Sequence, residues 1–302
     1  MRGRFAPSPT GPLHVGNLRT ALAAWLSARS QHGGFLVRMD DLDPVTSSPV
    51  HAAGQLADLD ALGLIHDGAV VSQSARFDLY REAITRLDAQ GLVYSCFCTR
   101  REIREAAAAP HGAPLPDGAY PGTCRSITAA QRRDHERAGR PMALRLLTHG
   151  EVVAFDDVVY GRFEGAVDDV VLQRNDGVPA YNLATVVDDH LQGVTEVVRG
   201  DDLLSSTPRQ IHLQRLLGFD QPVHAHVPLV LGADGERLAK RHGAVTLADM
   251  AAARVDVTGV LAMLGHSIGL CDVDEPVTAD GLVERFRWAD VPRDPWTFRP
   301  AS

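Results

Sequence analysis

Along the first forty residues the hydrophobic pattern changes period twice. Residues 2–6 read as a short strand, Pro7, Pro9, Gly11 and Pro12 mark a loop, and from about Asn17 the apolar residues Leu18, Leu22, Trp25 and Leu26 recur at helical spacing. Gly33 and Gly34 stop that helix, and residues 35–39 (FLVRM) read as the next strand. The result is a strand–loop–helix–strand unit whose loop leaves the C-terminal end of a strand, the edge at which open α/β sheets bind ligands. Helical spacing returns over residues 51–62 and 78–90, the second run stopped by Gly91.

The pattern then changes character. Residues 93–98 (VYSCFC) predict a strand, 99–109 a helix laced with Arg and Glu, and 110–124 a loop rich in Pro and Gly. Two further strands, in ALRLL and EVVAFDDVVYG, are expected to form a separate small sheet with the first, so that residues 93–165 are an insertion between two halves of a larger sheet. The second half resumes with VVLQR, a turn at Asn175-Asp176-Gly177, a helix from Tyr181 and the strand VTEVVRG. A helix from near Asp202, ended by Gly218, and a strand in HVPLVLG complete it. Residues 246–302 read as partly helical.

Composition narrows the function classes. No window approaches the ~18 unbroken apolar residues of a membrane span, and the N-terminus carries no signal-peptide core. A cytoplasmic location without membrane contact is therefore the expectation. The formal net charge of −8 excludes a uniformly basic nucleic-acid coat, so any RNA contact has to be local. Three of the four cysteines, Cys96, Cys98 and Cys124, fall within 29 residues, which points to a metal rather than to disulfides. Of the 30 Lys and Arg residues only Lys240 is lysine, so position 240 is expected to need a compact ammonium rather than a planar guanidinium.

Two strings carry the candidate chemistry. In RFAPSPTGPLHVGNLRTAL (residues 4–22) a strand and a Pro/Gly loop lead through His14, Gly16 and Asn17 into a helix. A helix N-terminus suits phosphate, a glycine admits a flat base or ribose, and His14 can donate a hydrogen bond to a phosphate oxygen as charge develops. The whole string resembles the HIGH signature of class I aminoacyl-tRNA synthetases, most closely the glutamyl branch. GERLAKRHG (residues 235–243) resembles the KMSKS loop of that class, with Arg237 for the first Lys, Ala239 for the central Ser and Arg241 at the end. Lys240 then falls on the lysine that steadies the ATP phosphates in the transition state.

The resemblance continues through RMDDLDP (residues 38–44) and the stretch 181–210. It implies a Rossmann-type parallel sheet in halves 1–92 and 166–245, an inserted α+β zinc-bearing subdomain at 93–165, and a short helical region at 246–302. It also implies a glutamate pocket of Arg4, Ala6, Ser8, Tyr181 and Arg199, with Asp40 at the α-ammonium where Glu is usual. Thr185 stands where some members carry a longer amide. Arginine forks suit a substrate with a side-chain carboxylate. ATP, with Mg²⁺, falls to His14, Gly16, Asn17 and Lys240. The arrangement Cys96-x-Cys98 with Tyr120-x₃-Cys124 resembles that of the glutamyl-queuosine tRNA(Asp) synthetases and implies one structural Zn²⁺, with His111 the alternative fourth ligand. These shortened members of the glutamyl branch activate L-glutamate with ATP and transfer it to queuosine in the anticodon loop of tRNA(Asp). A monomer is expected. Two other readings stay open on the residues: a truncated glutamyl-tRNA synthetase charging a 3′ end, and an idle RNA-binding paralogue.

Overall fold

The computed structural model describes residues 1–107, 119–238 and 245–299. The chain opens with β1 (Arg2–Phe5), α1 (Val15–Ser30), β2 (Gly34–Met39), α2 (Pro49–Ala61), β3 (Val71–Ser72) and α3 (Phe77–Asp88). β4 (Val93–Cys96), α4 (Arg100–Ala107), α5 (Ala129–Arg137) and β5 (Ala143–Leu146) follow, then β6 (Val152–Asp157), β7 (Gly161–Ala166) and β8 (Val171–Gln173). Next come α6 (Tyr181–Leu191), β9 (Glu196–Gly200), α7 (Thr207–Leu217), β10 (Val223–Val227) and β11 (Val230–Leu231). α8 (Leu247–Ala252), α9 (Val257–Ser267), α10 (Ala279–Val283) and β12 (Trp296–Thr297) close the described chain.

The strands β1, β2 and β3 pair in parallel, and so do β9, β10 and β6, with β7 antiparallel on the far edge. The two half-sheets meet where the Arg2 N–H donates to Thr195 Oγ1 at 2.8 Å and the Arg2 carbonyl accepts the Thr195 N–H at 2.9 Å. The strand order winds outward in both directions from this line. That makes it the switch point at which a parallel sheet opens a crevice beyond its carboxyl ends.

Helix α1 is buried nearly all round, from Val15 to Ala28, because it is covered twice. The sheet packs on one side of it and α9 and α10 on the other, in one continuous core. A one-sided apolar stripe would leave one of those contacts polar, and this explains the run of Leu and Ala. Arg19 crosses the same layer, donating to the Ser267 carbonyl at 3.1 Å and to the Pro228 carbonyl. The C-terminal helices are thereby tied to a wall of the crevice. A second core joins α3, α6 and α7 to β6 through Val153 and Phe155, and to β5 and β8 through Leu146 and Leu172. Among the described residues no helix is long and apolar enough to cross a membrane.

Two strand assignments differ from the sequence expectation. β6 and β7 do not join a small separate sheet: β6 pairs with β10, and the alternating burial of Val153, Phe155 and Asp157 shows which face it presents to the core. The separate antiparallel sheet is β4–β5–β8, and its third strand comes from the segment expected in the second half. Alternation fixes which face of a strand is buried but not which sheet receives it. The strand expected in HVPLVLG starts earlier, at Val223, and is interrupted at Pro228, which has no N–H to give to a ladder. Gly218 ends α7 in the left-handed conformation at φ 69°, where a glycine costs least.

Candidate active site

A cavity of about 600 Å³ opens over the carboxyl ends of β1 and β9. Arg4, Ala6, Ser8, Asp40, Tyr181 and Arg199 line one part of it, and His14, Gly16 and Asn17 line another. Every one of these was singled out in the sequence. Lys240, with Ala239 and Arg241, lies outside the described residues. Its flanks do not: Arg237 is on the cavity wall, paired with Asp202 at 2.7 Å, and the Val245 carbonyl accepts the Val15 N–H at 2.8 Å.

His14 is the N-cap of α1. Its Nδ1 accepts the Asn17 N–H at 3.2 Å, and Asn17 Oδ1 accepts the His14 N–H at the same distance. An accepting Nδ1 places the ring proton on Nε2, so His14 is a neutral donor. Burial, and then the nearby Arg237 charge, push its pKa down and hold it in that form. This corrects the picture of an open helix end: the Val15 and Asn17 amides are occupied, and only the Gly16 N–H has no partner among the described residues. Gly16 also serves the cap. A Cβ there would meet His14 Cε1 at 3.0 Å and Nδ1 at 3.1 Å.

Around the other end of the cavity stand three buried arginines on adjacent strands. Arg4 is held by Asp189, its Nε and Nη2 donating at 3.3 and 3.4 Å, and its Nη1 donates to the Val198 carbonyl. Arg38 donates to Asp189 at 2.6 Å and to Asp40 at 2.8 Å. Asp188, the neighbour of Asp189, accepts from the Tyr80 hydroxyl at 2.7 Å and from Gln73 at 3.1 Å. Burial works against ionisation of Asp189, but Arg4 and Arg38 overcome it and hold the carboxyl at about 2. Asp40 behaves in the opposite way: burial raises its pKa in spite of Arg38.

Arg199 is different. Its Nη1 donates to Gln210 at 2.7 Å, Nη2 to Thr207 Oγ1 at 2.7 Å, and Nε to His226 Nε2 at 3.0 Å. All three acceptors are neutral. Among the described residues Arg199 makes no ion pair, and burial pushes its pKa down, with the nearby Tyr181 hydroxyl opposing the fall. A buried guanidinium that is hydrogen-bonded but not charge-compensated, on the wall of a cavity, is a site for an anion. Thr185, by contrast, is buried away from the cavity with its Oγ1 unpartnered among the described residues.

Away from the cavity, the β4–β5–β8 sheet carries the cysteines. Cys96, Cys98 and Cys124 have their sulfurs within 4.8 Å of one another, and the buried Tyr120 hydroxyl is 3.4 Å from Cys96 Sγ and 3.5 Å from Cys98 Sγ. Arg145 stacks over the Tyr120 ring at 3.7 Å. Zinc–thiolate bonds of about 2.3 Å in a tetrahedron put neighbouring donors roughly 3.8 Å apart, so four groups at this spacing fit one such ion. Burial, with Cys124 and Cys96 alongside, pushes the Cys98 thiol up to about 12. His111 lies outside the described residues.

Arg38, Asp188, Asp189 and His226 are the residues that sequence reasoning missed. RMDD and VVDDH were visible as strings, but pairings across 151 positions leave no local signal.

The family model for the catalytic domain of class I tRNA synthetases (E and Q) matches residues 1–299. A glutamyl-Q tRNA(Asp) synthetase of Nocardia farcinica is 56% identical over 97% of this chain and 92% of its own length. A glutamate–tRNA ligase of Geobacter sulfurreducens is 42% identical over 99% of this chain but 64% of its own length. Among solved structures, a glutamate tRNA ligase of Elizabethkingia meningosepticum in complex with its amino acid superposes with a TM-score of 0.84 at 26% identity, covering 99% of this chain and 67% of that one.

Proposed function

Because this chain belongs to the glutamyl-Q tRNA(Asp) synthetase family within the class I synthetases, we propose that its cavity forms glutamyl-AMP and passes the glutamyl group to queuosine of tRNA(Asp). The observation that carries the reading is Arg199, a buried guanidinium facing the cavity with only neutral partners among the described residues. Together with Arg4 and Tyr181 it receives the side-chain carboxylate of L-glutamate. Asp40 takes the α-ammonium, and Ala6 and Ser8 form the floor between them. An oxygen of the α-carboxylate attacks the α-phosphorus of ATP, and pyrophosphate leaves. The His14 Nε2–H, the Gly16 amide, Asn17 and Lys240 stabilise the charge on the phosphates, with Mg²⁺ accompanying the nucleotide. A hydroxyl of the queuosine cyclopentenediol then attacks the carbonyl carbon of the anhydride, and AMP leaves.

Glutamate-dependent ATP–pyrophosphate exchange without tRNA tests the first step. Lys240→Arg should slow it by about 10²-fold or more, the usual cost of one lost transition-state contact. Unchanged turnover would remove the special role of this lysine. Glutamine, isosteric but neutral, should be activated with kcat/KM lower by about 30- to 150-fold, because a charge-assisted contact in a buried site is worth about 2–3 kcal/mol. Equal values for the two amino acids would show the pocket to be misassigned.

The cysteine cluster is proposed to hold one structural Zn²⁺ through Cys96, Cys98, Cys124 and Tyr120. It takes no part in either chemical step. Elemental analysis after purification without chelators should find about one zinc per chain. Tyr120→Phe should retain more metal than any of the Cys→Ala variants, since phenolate is the weakest of the four ligands. Protein free of zinc would remove the site and leave the adenylation argument standing.

A further inference from the structure

The three strands β6, β10 and β9 place Asp157, His226 and Arg199 in a row. Arg199 and His226 are direct partners across the parallel pair, and Asp157 lies on the next strand. An arginine N–H can only donate, so His226 Nε2, 3.0 Å from Arg199 Nε, must accept. The proton then sits on Nδ1, which is 2.6 Å from Asp157 Oδ2. Asp157 is fixed as the acceptor by the N–H groups of Val159 and Tyr160, each 3.0 Å from Oδ1. Both ends of the imidazole demand the same neutral tautomer, and neither His226 nor Asp157 has any side-chain exposure.

The contrast with Arg4 gives this row its meaning. Asp189 grips Arg4 directly and offsets its charge. At Arg199 the carboxylate of Asp157 is set back by the width of an imidazole. We propose that His226, held by Asp157, is a specificity-determining positioning residue: it aims Arg199 through a neutral acceptor, so that the guanidinium keeps its charge for the side-chain carboxylate of the amino acid. The inference rests on reading Arg199 as the anchor of that carboxylate. An acidic residue in place of His226 would satisfy the same Arg199 N–H and neutralise the charge that selects glutamate. Burial, which keeps the His226 pKa below its ordinary value against the pull of Asp157, favours the neutral ring.

The test is ATP–pyrophosphate exchange, with KM measured separately for glutamate and ATP. His226→Gln preserves a neutral acceptor and should leave the glutamate KM within about 3-fold, whereas His226→Glu should raise it by about 10- to 100-fold, the worth of a charge-assisted contact. The KM for ATP should stay within about 3-fold in both, since a charge effect at one carboxylate does not reach the phosphates. Equal glutamate KM values for the two variants, or an equal rise for ATP, would overturn the proposal. Should His226→Glu not fold, the wild-type protein decides: nitrogen-15 NMR of its histidines should show His226 with the proton on Nδ1, and the opposite tautomer or an imidazolium at neutral pH overturns it. Arg199→Lys separates the two levels. If it leaves the glutamate KM unchanged, the anchor itself falls; if it raises KM while His226→Glu matches His226→Gln, only the role of His226 falls.

Discussion

Asp189→Asn is expected to lower the unfolding free energy by about 3–5 kcal/mol, the cost of removing one partner from a buried charge cluster. The carboxylate accepts from Arg38 at 2.6 Å and from Arg4 at 3.3 and 3.4 Å, and all three groups are buried. Among the described residues the variant would leave Arg4 without a carboxylate and Arg38 with Asp40 as its close one, beside an Arg199 that has none. Denaturant titration reads the loss, and a midpoint equal to that of the wild type would show that the cluster is not a structural element. Substrate should restore part of it. An anionic amino acid entering beside Arg4 and Arg199 replaces some of the missing charge, so saturating glutamate should stabilise the variant more than glutamine does. The pH dependence follows from the same carboxyl. Its folded pKa is depressed to about 2. Its stabilisation is therefore complete above about pH 4, where the unfolded carboxyl is ionised, and is lost as pH falls toward the folded value. The Asp189→Asn variant, with no carboxyl to titrate there, should lack that acid-range slope.

The cluster also shows what was legible in the sequence. The first strand–loop–helix–strand unit could be read because its signals are local: prolines and glycines in the loop, 3.6-residue spacing in the helix, a glycine pair after it. The residues lining the cavity could be named because they lie in contiguous strings that resemble a known class. What no string discloses is which charges face one another. Arg4 and Asp189 are 185 positions apart, and Arg199 is set apart by having no carboxylate partner among the described residues, a property of the fold and not of any motif. The same limit explains β6. Its alternating residues are as compatible with a small sheet as with a large one, and only pairing with β10 brings Asp157 to His226. Gly16 was read as space for a ligand; the structure adds that the space is needed by the His14 ring.

The largest effect is expected in the second half-reaction, where the acceptor should behave as an all-or-none requirement. Glutamate should be transferred to tRNA(Asp) carrying queuosine at the wobble position and not to the same tRNA without it. Two observations motivate this. The first is similarity: the chain is 56% identical to the Nocardia farcinica glutamyl-Q tRNA(Asp) synthetase and 42% identical to the Geobacter sulfurreducens glutamate–tRNA ligase. The second is a groove of about 450 Å³ that shares Ser8, Asp40 and Tyr181 with the active-site cavity and runs on to Arg100 and Arg174 beside Cys98. A nucleoside lying there would stand beside Ser8, Asp40 and Tyr181, the residues the groove shares with the amino-acid end of the cavity. The flanking arginines suit the backbone of a single-stranded loop, the form in which RNA is usually read base by base. The decisive substrate is queuosine-containing tRNA(Asp) from which the 3′-terminal adenosine has been removed. Labelled glutamate should still be accepted by it, because the reacting hydroxyl belongs to the modified base. Acceptance that disappears with the terminal adenosine, and is indifferent to queuosine, would instead place the 3′ end in this groove and make the chain a tRNA-charging enzyme.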